Sequence, residues 1–265
     1  MPARKKWTAH ELLILLNMYH KMRFGQMHER NPAIVTLAKK LERTPGSVAM
    51  KLCNLASLDP ALKLRGIKGL TGASKLDELM WEDFHAQLDV FVPASEEALR
   101  DLLKVRDDAE VEIEPKKGIH IVKAPPNGPT EVTANVQVRR GQEYFRNAVL
   151  NNFGGRCGIT RLGVRELLIA SHIMPWGTHT GDRLNVRNGL CLSRLHDAAF
   201  DRGLITFDDE LRLVLSKRLK AELPQVCIED NFMKHEGETL LLPEDAVLPD
   251  AVFLASHRTS IFVAS

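Results

Sequence analysis

Cysteine, long apolar runs and a net charge of one sign are what this chain has little of, and each shortage removes a class of protein. Four cysteines, at 53, 157, 191 and 227, are scattered through 265 residues with no CxxC pair. Neither a disulfide scaffold nor a thiolate zinc site is therefore indicated. The strongest apolar runs, LLILL at 12–16 and LLLP at 240–243, fall far below the ~18 residues of a membrane span. No membrane partner is expected. The basic start MPARKKW leads into no apolar stretch with a small-residue cleavage site, so no secretory signal is expected and the chain reads as cytoplasmic.

What is present is the material of about two ordinary globular domains: 44% hydrophobic and 26% charged residues, enough for each part to bury a core. The net charge of +2 conceals an uneven distribution. Residues 1–60 hold ten Lys and Arg against four Asp and Glu, whereas 76–114 hold thirteen acids against three bases. A basic head suits a polyanion such as DNA, and a solvated, charge-mixed surface accounts for it equally well.

The head reads as helical. In WTAHELLILLNMYHKM the apolar positions Leu12, Leu13, Leu15, Leu16 and Tyr19 have helical spacing, and Thr8 with Glu11 forms a capping box. A second helix starts at Pro32, and a third has Thr44 as N-cap, Pro45 at its first position and Val48, Leu52 and Leu55 as its inward stripe. Two short helices joined by a tight turn suggest a helix-turn-helix, whose second helix would turn Ser47, Met50, Lys51 and Asn54 outward to DNA. Many small helical bundles hold such a pair without touching DNA. One or two acidic helices follow over 76–104 and should face away from DNA or contact the basic head. Residues 105–135, with PPNGP, read as a linker that contains one short strand, IHIVKA.

The second unit opens with a helix in VQVRRGQEYFRNAVLNNFGGRC, ended by Gly154 and Gly155. Beyond it, Leu167 to His172 is an apolar run ending in histidine. A loop with Pro175, Gly177, Gly181 and Asn185 leads to a short strand beginning at Asn188, and a helix surrounds His196 before DRG closes it. The order is strand, loop, strand, helix. Arg139, Arg140, Arg156, Arg161, Arg165, Arg183 and Arg187 gather in the same stretch and suit a phosphate-bearing substrate, or simply a charged surface. Cys157 and Cys191 read as buried small apolar residues, Trp176 as packing for the loop, and His179 and His257 as structural or phosphate-facing.

The segment SHIMPW…RNGLCLSRLHDAAFDRGLITF resembles the HNH nucleases of the ββα-metal type, in particular a branch found in bacterial restriction endonucleases, and the resemblance extends over roughly 138–260. It implies a metal-dependent endonuclease acting on double-stranded DNA, with His172 as general base, Asn188 orienting that base or bracing the loop, and His196 binding a divalent metal, Mg²⁺ or Mn²⁺. The chain departs from the commonest pattern at two ligand positions. Ser171 stands before the base, where Asp or His is usual, and Phe200 stands one turn after His196. Asp201 becomes the candidate carboxylate there, with Ser171 beside it, while Asp197 lies off the face of His196 by helical geometry. Arg183 and Arg187 join Ser47, Lys51 and Asn54 as candidate DNA contacts.

The chain is therefore expected to be α+β: a helical, helix-turn-helix-like DNA-binding domain at 1–104, a linker at 105–135, and an HNH nuclease domain at 136–265. Restriction-type defence, including against modified DNA, is the implied role, with a homodimer as one way to cut both strands. The alternatives are a less selective nuclease effector with a protein- or signal-sensing N-terminal domain, and a catalytically inactive DNA-binding regulator.

Overall fold

A computed structural model describes residues 6–67, 69–70, 72–107, 109–114, 116–123, 134–175 and 181–262. It is a mixed α and β structure that divides into two compact units, Met1–Asn151 and Asn152–Ser265. Among the described residues no helix is long and apolar enough to cross a membrane.

The first unit is built on helices that begin where the caps dictate. Helix α1 (Ala9–His20) starts behind the reciprocal capping box of Thr8 and Glu11. In α2 (Pro32–Lys40) and α3 (Pro45–Ala56), Asn31 and Thr44 cap the free N–H groups and proline occupies the first turn. Val48, Leu52 and Leu55 of α3 are fully buried. After the short α4 (Pro60–Leu64), the acidic segment forms two helices, α5 (Lys75–Ala86) and α6 (Leu88–Leu103), and α1 packs against α3, α5 and α6.

The basic and acidic segments meet inside this unit. Lys21 pairs with Glu96 with both side chains fully buried and Lys51 pairs with Asp77 at 2.7 Å, while Arg43 pairs with Glu11 within the basic head at 2.8 Å. Of the two arrangements open to the acidic helices, contact with the basic head is the one observed. The expected outward face of α3 is corrected by the same pairs. Lys51 is buried against Asp77, and Asn54 is buried and donates to the Gly72 carbonyl at 3.1 Å. Only Met50 is well exposed; Ser47 is half-buried in the first turn, where its N–H donates to Thr44 Oγ1.

The segment read as a linker is partly structured. Strands β1 (Ala109–Glu114) and β2 (Gly118–Lys123) form an antiparallel hairpin, with Val111 opposite Ile121 and Ile113 opposite Ile119. Helix α7 (Ala134–Asn152) then places Glu143, Asn147 and Asn151, one turn apart, against β1. Glu143 accepts from Val111 N–H, Asn147 accepts from Ile113 N–H and donates to the Val111 carbonyl, and Asn151 donates to the Ile113 carbonyl. Those bonds hold the hairpin to α7, Asn151 also donates to the Lys21 carbonyl at 3.0 Å, and hairpin and helix fall within the unit Met1–Asn151. The PPNGP stretch at 125–129 lies outside the described residues.

In the second unit β3 (Leu168–His172) and β4 (Gly189–Ser193) pair antiparallel, with Ser171 opposite Leu190 and His172 opposite Gly189. The chain passes directly from β4 into α8 (Arg194–Asp201), capped by Ser193, and α8 packs on both strands. Gly203, at φ +65°, ends the helix, and a side chain there would collide with the Ile261 carbonyl. A second hairpin, β5 (Ile205–Phe207) with β6 (Leu213–Leu215), follows, then α9 (Lys217–Lys220), α10 (Val226–Asn231) and α11 (Ala251–Ser260). The core holds Leu168, Leu190, Leu192, Phe200 and Phe207, all fully buried; each such side chain stabilises by about 1.5–3 kcal/mol. His257 is part of it, stacked on Phe200 with ring centroids 3.7 Å apart. Of its two expected roles, the structural one is the one seen.

Candidate active site

Successive residues of a strand point to opposite faces, and at the end of β3 this separates Ser171 from His172. His172 turns toward the loop that joins β3 to β4. Its Nε2 lies 2.9 Å from the Arg183 carbonyl, and a carbonyl only accepts, so Nε2 carries the proton and Nδ1 holds the lone pair of the neutral ring. Burial lowers the His172 pKa below its ordinary 6.5, against the pull of the Arg183 carbonyl, and the ring is neutral near pH 7.

Asn188 braces that loop. It is fully buried; its Oδ1 accepts from Met174 N–H at 2.7 Å, and its Nδ2 donates to the carbonyls of Asp182, at 3.2 Å, and Met174. By holding the Asp182 carbonyl it fixes the residue next to Arg183, and with it the acceptor that orients His172. Asn188 ends a 3-10 turn, and the strand begins one residue later than expected, at Gly189. Trp176, Gly177 and His179 of the same loop lie outside the described residues.

His196 sits elsewhere than a ligand should. It is 1% exposed; Nε2 donates to the Asn231 carbonyl at 2.7 Å, and Nδ1 accepts from the Ser193 hydroxyl at 2.7 Å. With both ring nitrogens engaged and the ring against Phe232, His196 pins the start of α8 to the end of α10. This corrects the expectation that it offers a nitrogen to a metal.

On the neighbouring face of α8, Asp197 and Asp201 are one turn apart and therefore side by side. Burial raises the Asp197 pKa, opposed by the Ser171 hydroxyl and by Arg194. Asp201, at the surface, is raised by partial burial and by Asp197 itself, opposed by Arg202. Ser171 is 2% exposed, and its hydroxyl is directed at the Asp197 carboxylate. Among those residues, no three His, Cys, Asp or Glu side chains converge as a metal cage. Two carboxylates and a hydroxyl nonetheless suit a hard divalent cation, which keeps much of its water. Helical spacing puts Asp197 off the face of His196, and because α8 turns His196 inward, Asp197 comes to Ser171.

Cys157 does more than fill the core. It is buried as expected, but its Sγ accepts from the N–H groups of Ser193, at 3.3 Å, and Ile159, at 3.5 Å. Burial pushes the thiol up, and the hydrogen bonds from the backbone of Thr160 and Ile159 and from the Thr160 side chain pull it down. Of the candidate arginines, Arg183 contributes its carbonyl to His172, while exposed Arg187 pairs with Asp250 at 3.2 Å.

A family model described as HNH endonuclease matches residues 157–208, the span from Cys157 through β3, β4, α8 and β5. No curated protein matches the chain.

Proposed function

We propose that the second unit hydrolyses phosphodiester bonds of double-stranded DNA, in restriction-type defence that extends to modified DNA. The observation that carries this is the hydrogen bond from His172 Nε2 to the Arg183 carbonyl, which aims a neutral imidazole with a defined lone pair from the end of a strand within the matched segment. In that role Nδ1 takes a proton from water as its oxygen attacks phosphorus and the P–O bond to the leaving sugar oxygen breaks. Asn188 keeps the base in place through the loop. A bound divalent cation, held by oxygen donors of β3 and α8, supplies neutralisation of charge on the scissile phosphate. Arg183 is the nearest guanidinium in sequence to the base's anchor and is assigned to the phosphate, with Arg187 beside it. A homodimer would bring two such sites to the two strands. Located in the cytoplasm, the enzyme would meet incoming DNA directly.

The test is plasmid nicking with Mg²⁺ or Mn²⁺, on modified and unmodified DNA. Nicking lost in His172→Ala supports the proposal; no cutting by the wild-type protein of any DNA would end it. A second reading, a DNA-binding regulator that does not cut, draws on the engagement of both His196 nitrogens, and DNA binding without cutting is its signature.

A further inference from the structure

We propose that the turn closing α4, Lys63–Gly66, docks double-stranded DNA without regard to its sequence: Lys63 and Arg65 take phosphates, and Leu64 enters the minor groove. The inference rests on the nuclease reading for the identity of the polyanion, while the surface rests on what the first unit exposes. Helix α4 ends in a Schellman motif. Gly66 N–H donates to the Lys63 carbonyl and Ile67 N–H to the Leu62 carbonyl, each at 3.0 Å, and Gly66 takes a φ of +73° with open space beside it. Lys63, Leu64 and Arg65 are thereby fixed together on an exposed tip. The segment that follows is seated on α3. Leu70 N–H donates to the Cys53 carbonyl at 3.2 Å, Asn54 donates to the Gly72 carbonyl at 3.1 Å, and a side chain at Gly69 would come within 2.4 Å of Ser57 N. Buried Asn54 therefore serves the loop that carries the tip.

Charge selects the occupant. Lys21, Arg43 and Lys51 are engaged within the unit by Glu96, Glu11 and Asp77, whereas Lys63, Arg65 and Lys75 are exposed. No acidic residue stands between Asp59 and Asp77, and both of those are taken, Asp59 by the Tyr19 hydroxyl at 2.7 Å and Asp77 by Lys51. A duplex offers such a tip a dense row of phosphates. Between the two cations stands Leu64, at 88% the most exposed large apolar side chain among the described residues. Aliphatic side chains in that position are what minor-groove binders press against a base step.

Fluorescence anisotropy of the full chain with two short duplexes of unrelated sequence, in EDTA and over a series of salt concentrations, tests the surface apart from cutting. The double variant Lys63→Ala/Arg65→Ala should flatten the slope of log affinity against log salt by about 2, and should weaken binding of both duplexes by roughly 10–100-fold at about 0.15 M salt. Lys63→Arg, which keeps the charge, should keep the wild-type slope. Leu64→Ala should weaken binding and leave the slope as it is; unaltered affinity there would strike the groove contact. A wild-type slope in the double variant, shown folded by circular dichroism, would overturn the proposal, as would wild-type binding to phosphatidylserine vesicles in place of DNA. Plasmid nicking on the same preparations separates the two claims. DNA binding that depends on Lys63 and Arg65 in a protein that cuts nothing sinks the nuclease reading and keeps the surface. Nicking by a double variant that retains wild-type DNA affinity does the reverse.

Discussion

His172 and Arg183 are eleven residues apart in sequence and joined by one hydrogen bond, from the ring Nε2 to the main-chain carbonyl at 2.9 Å. The bond is to backbone, so the side chain of Arg183 is not needed to make it. Arg183→Ala should leave the tautomer of His172 unchanged, whereas His172→Ala should lower the cleavage rate by about 10²–10⁴-fold while the protein keeps its circular dichroism spectrum and its DNA affinity. Wild-type cutting by His172→Ala, in a preparation free of contaminating nuclease, would remove the general-base assignment.

Asn188→Ala removes a buried side chain bonded to Met174 and Asp182. The Met174 N–H and two carbonyls lose a partner, and each buried group left unpaired costs about 1–3 kcal/mol. Thermal denaturation should show a clear loss of stability, and cleavage should fall because the Arg183 carbonyl is no longer held. An unchanged melting temperature would contradict the bracing role.

Lys51→Ala leaves Asp77 as an unpaired buried carboxylate, an outcome that typically costs about 3–5 kcal/mol. Urea denaturation should register that loss. Lys51→Ala should not selectively weaken DNA binding, because the ammonium is turned into the unit; a folded variant with reduced affinity in a gel-shift titration at fixed salt would restore the recognition-helix reading of α3.

His196→Ala should act on folding and leave cation affinity intact. It deletes bonds to Ser193 and Asn231 at the start of α8, so its melting temperature should fall. Mn²⁺ affinity measured well below that melting temperature should match the wild type.

His257 gives the second unit a pH dependence. Burial holds its pKa at about 4, against the Phe200 carbonyl and with Arg258 adding to the depression, whereas the unfolded chain takes up the proton near 6.5. Between those values the unfolded state binds more protons, so stability is complete above about pH 6.5 and declines toward pH 4, by on the order of 2–3 kcal/mol. His257→Phe, which retains a ring over Phe200, should flatten that decline in a series of melts from pH 7 to pH 4; an identical slope would place the effect in another group.

Local signals in the sequence are legible where local chemistry decides the outcome. Thr8, Thr44 and Pro45 mark helix starts because caps act within one turn, and the apolar run to His172 and the strand after Asn188 form the expected pair. Long-range partners decided the rest. Lys51 has the spacing of an outward residue, and only Asp77, 26 residues on, turns it inward. The role of His196 depends on the Asn231 carbonyl 35 residues away, which no periodicity announces. Of the hairpin at 109–123, the strand in IHIVKA is legible, while its Glu-rich partner β1 resembles a tether until α7 satisfies its backbone.

That last arrangement reaches beyond the first unit's own stability. The free edge of β1 meets the polar side chains of a helix in place of another strand, so α7 acts as a sheath over a backbone that would otherwise pair with a second molecule. A fragment ending near residue 135, the place where the sequence suggests a cut, would carry β1 without its sheath and should self-associate through that edge. One ending at Asn151 should stay dispersed, and light scattering on the two fragments would tell them apart.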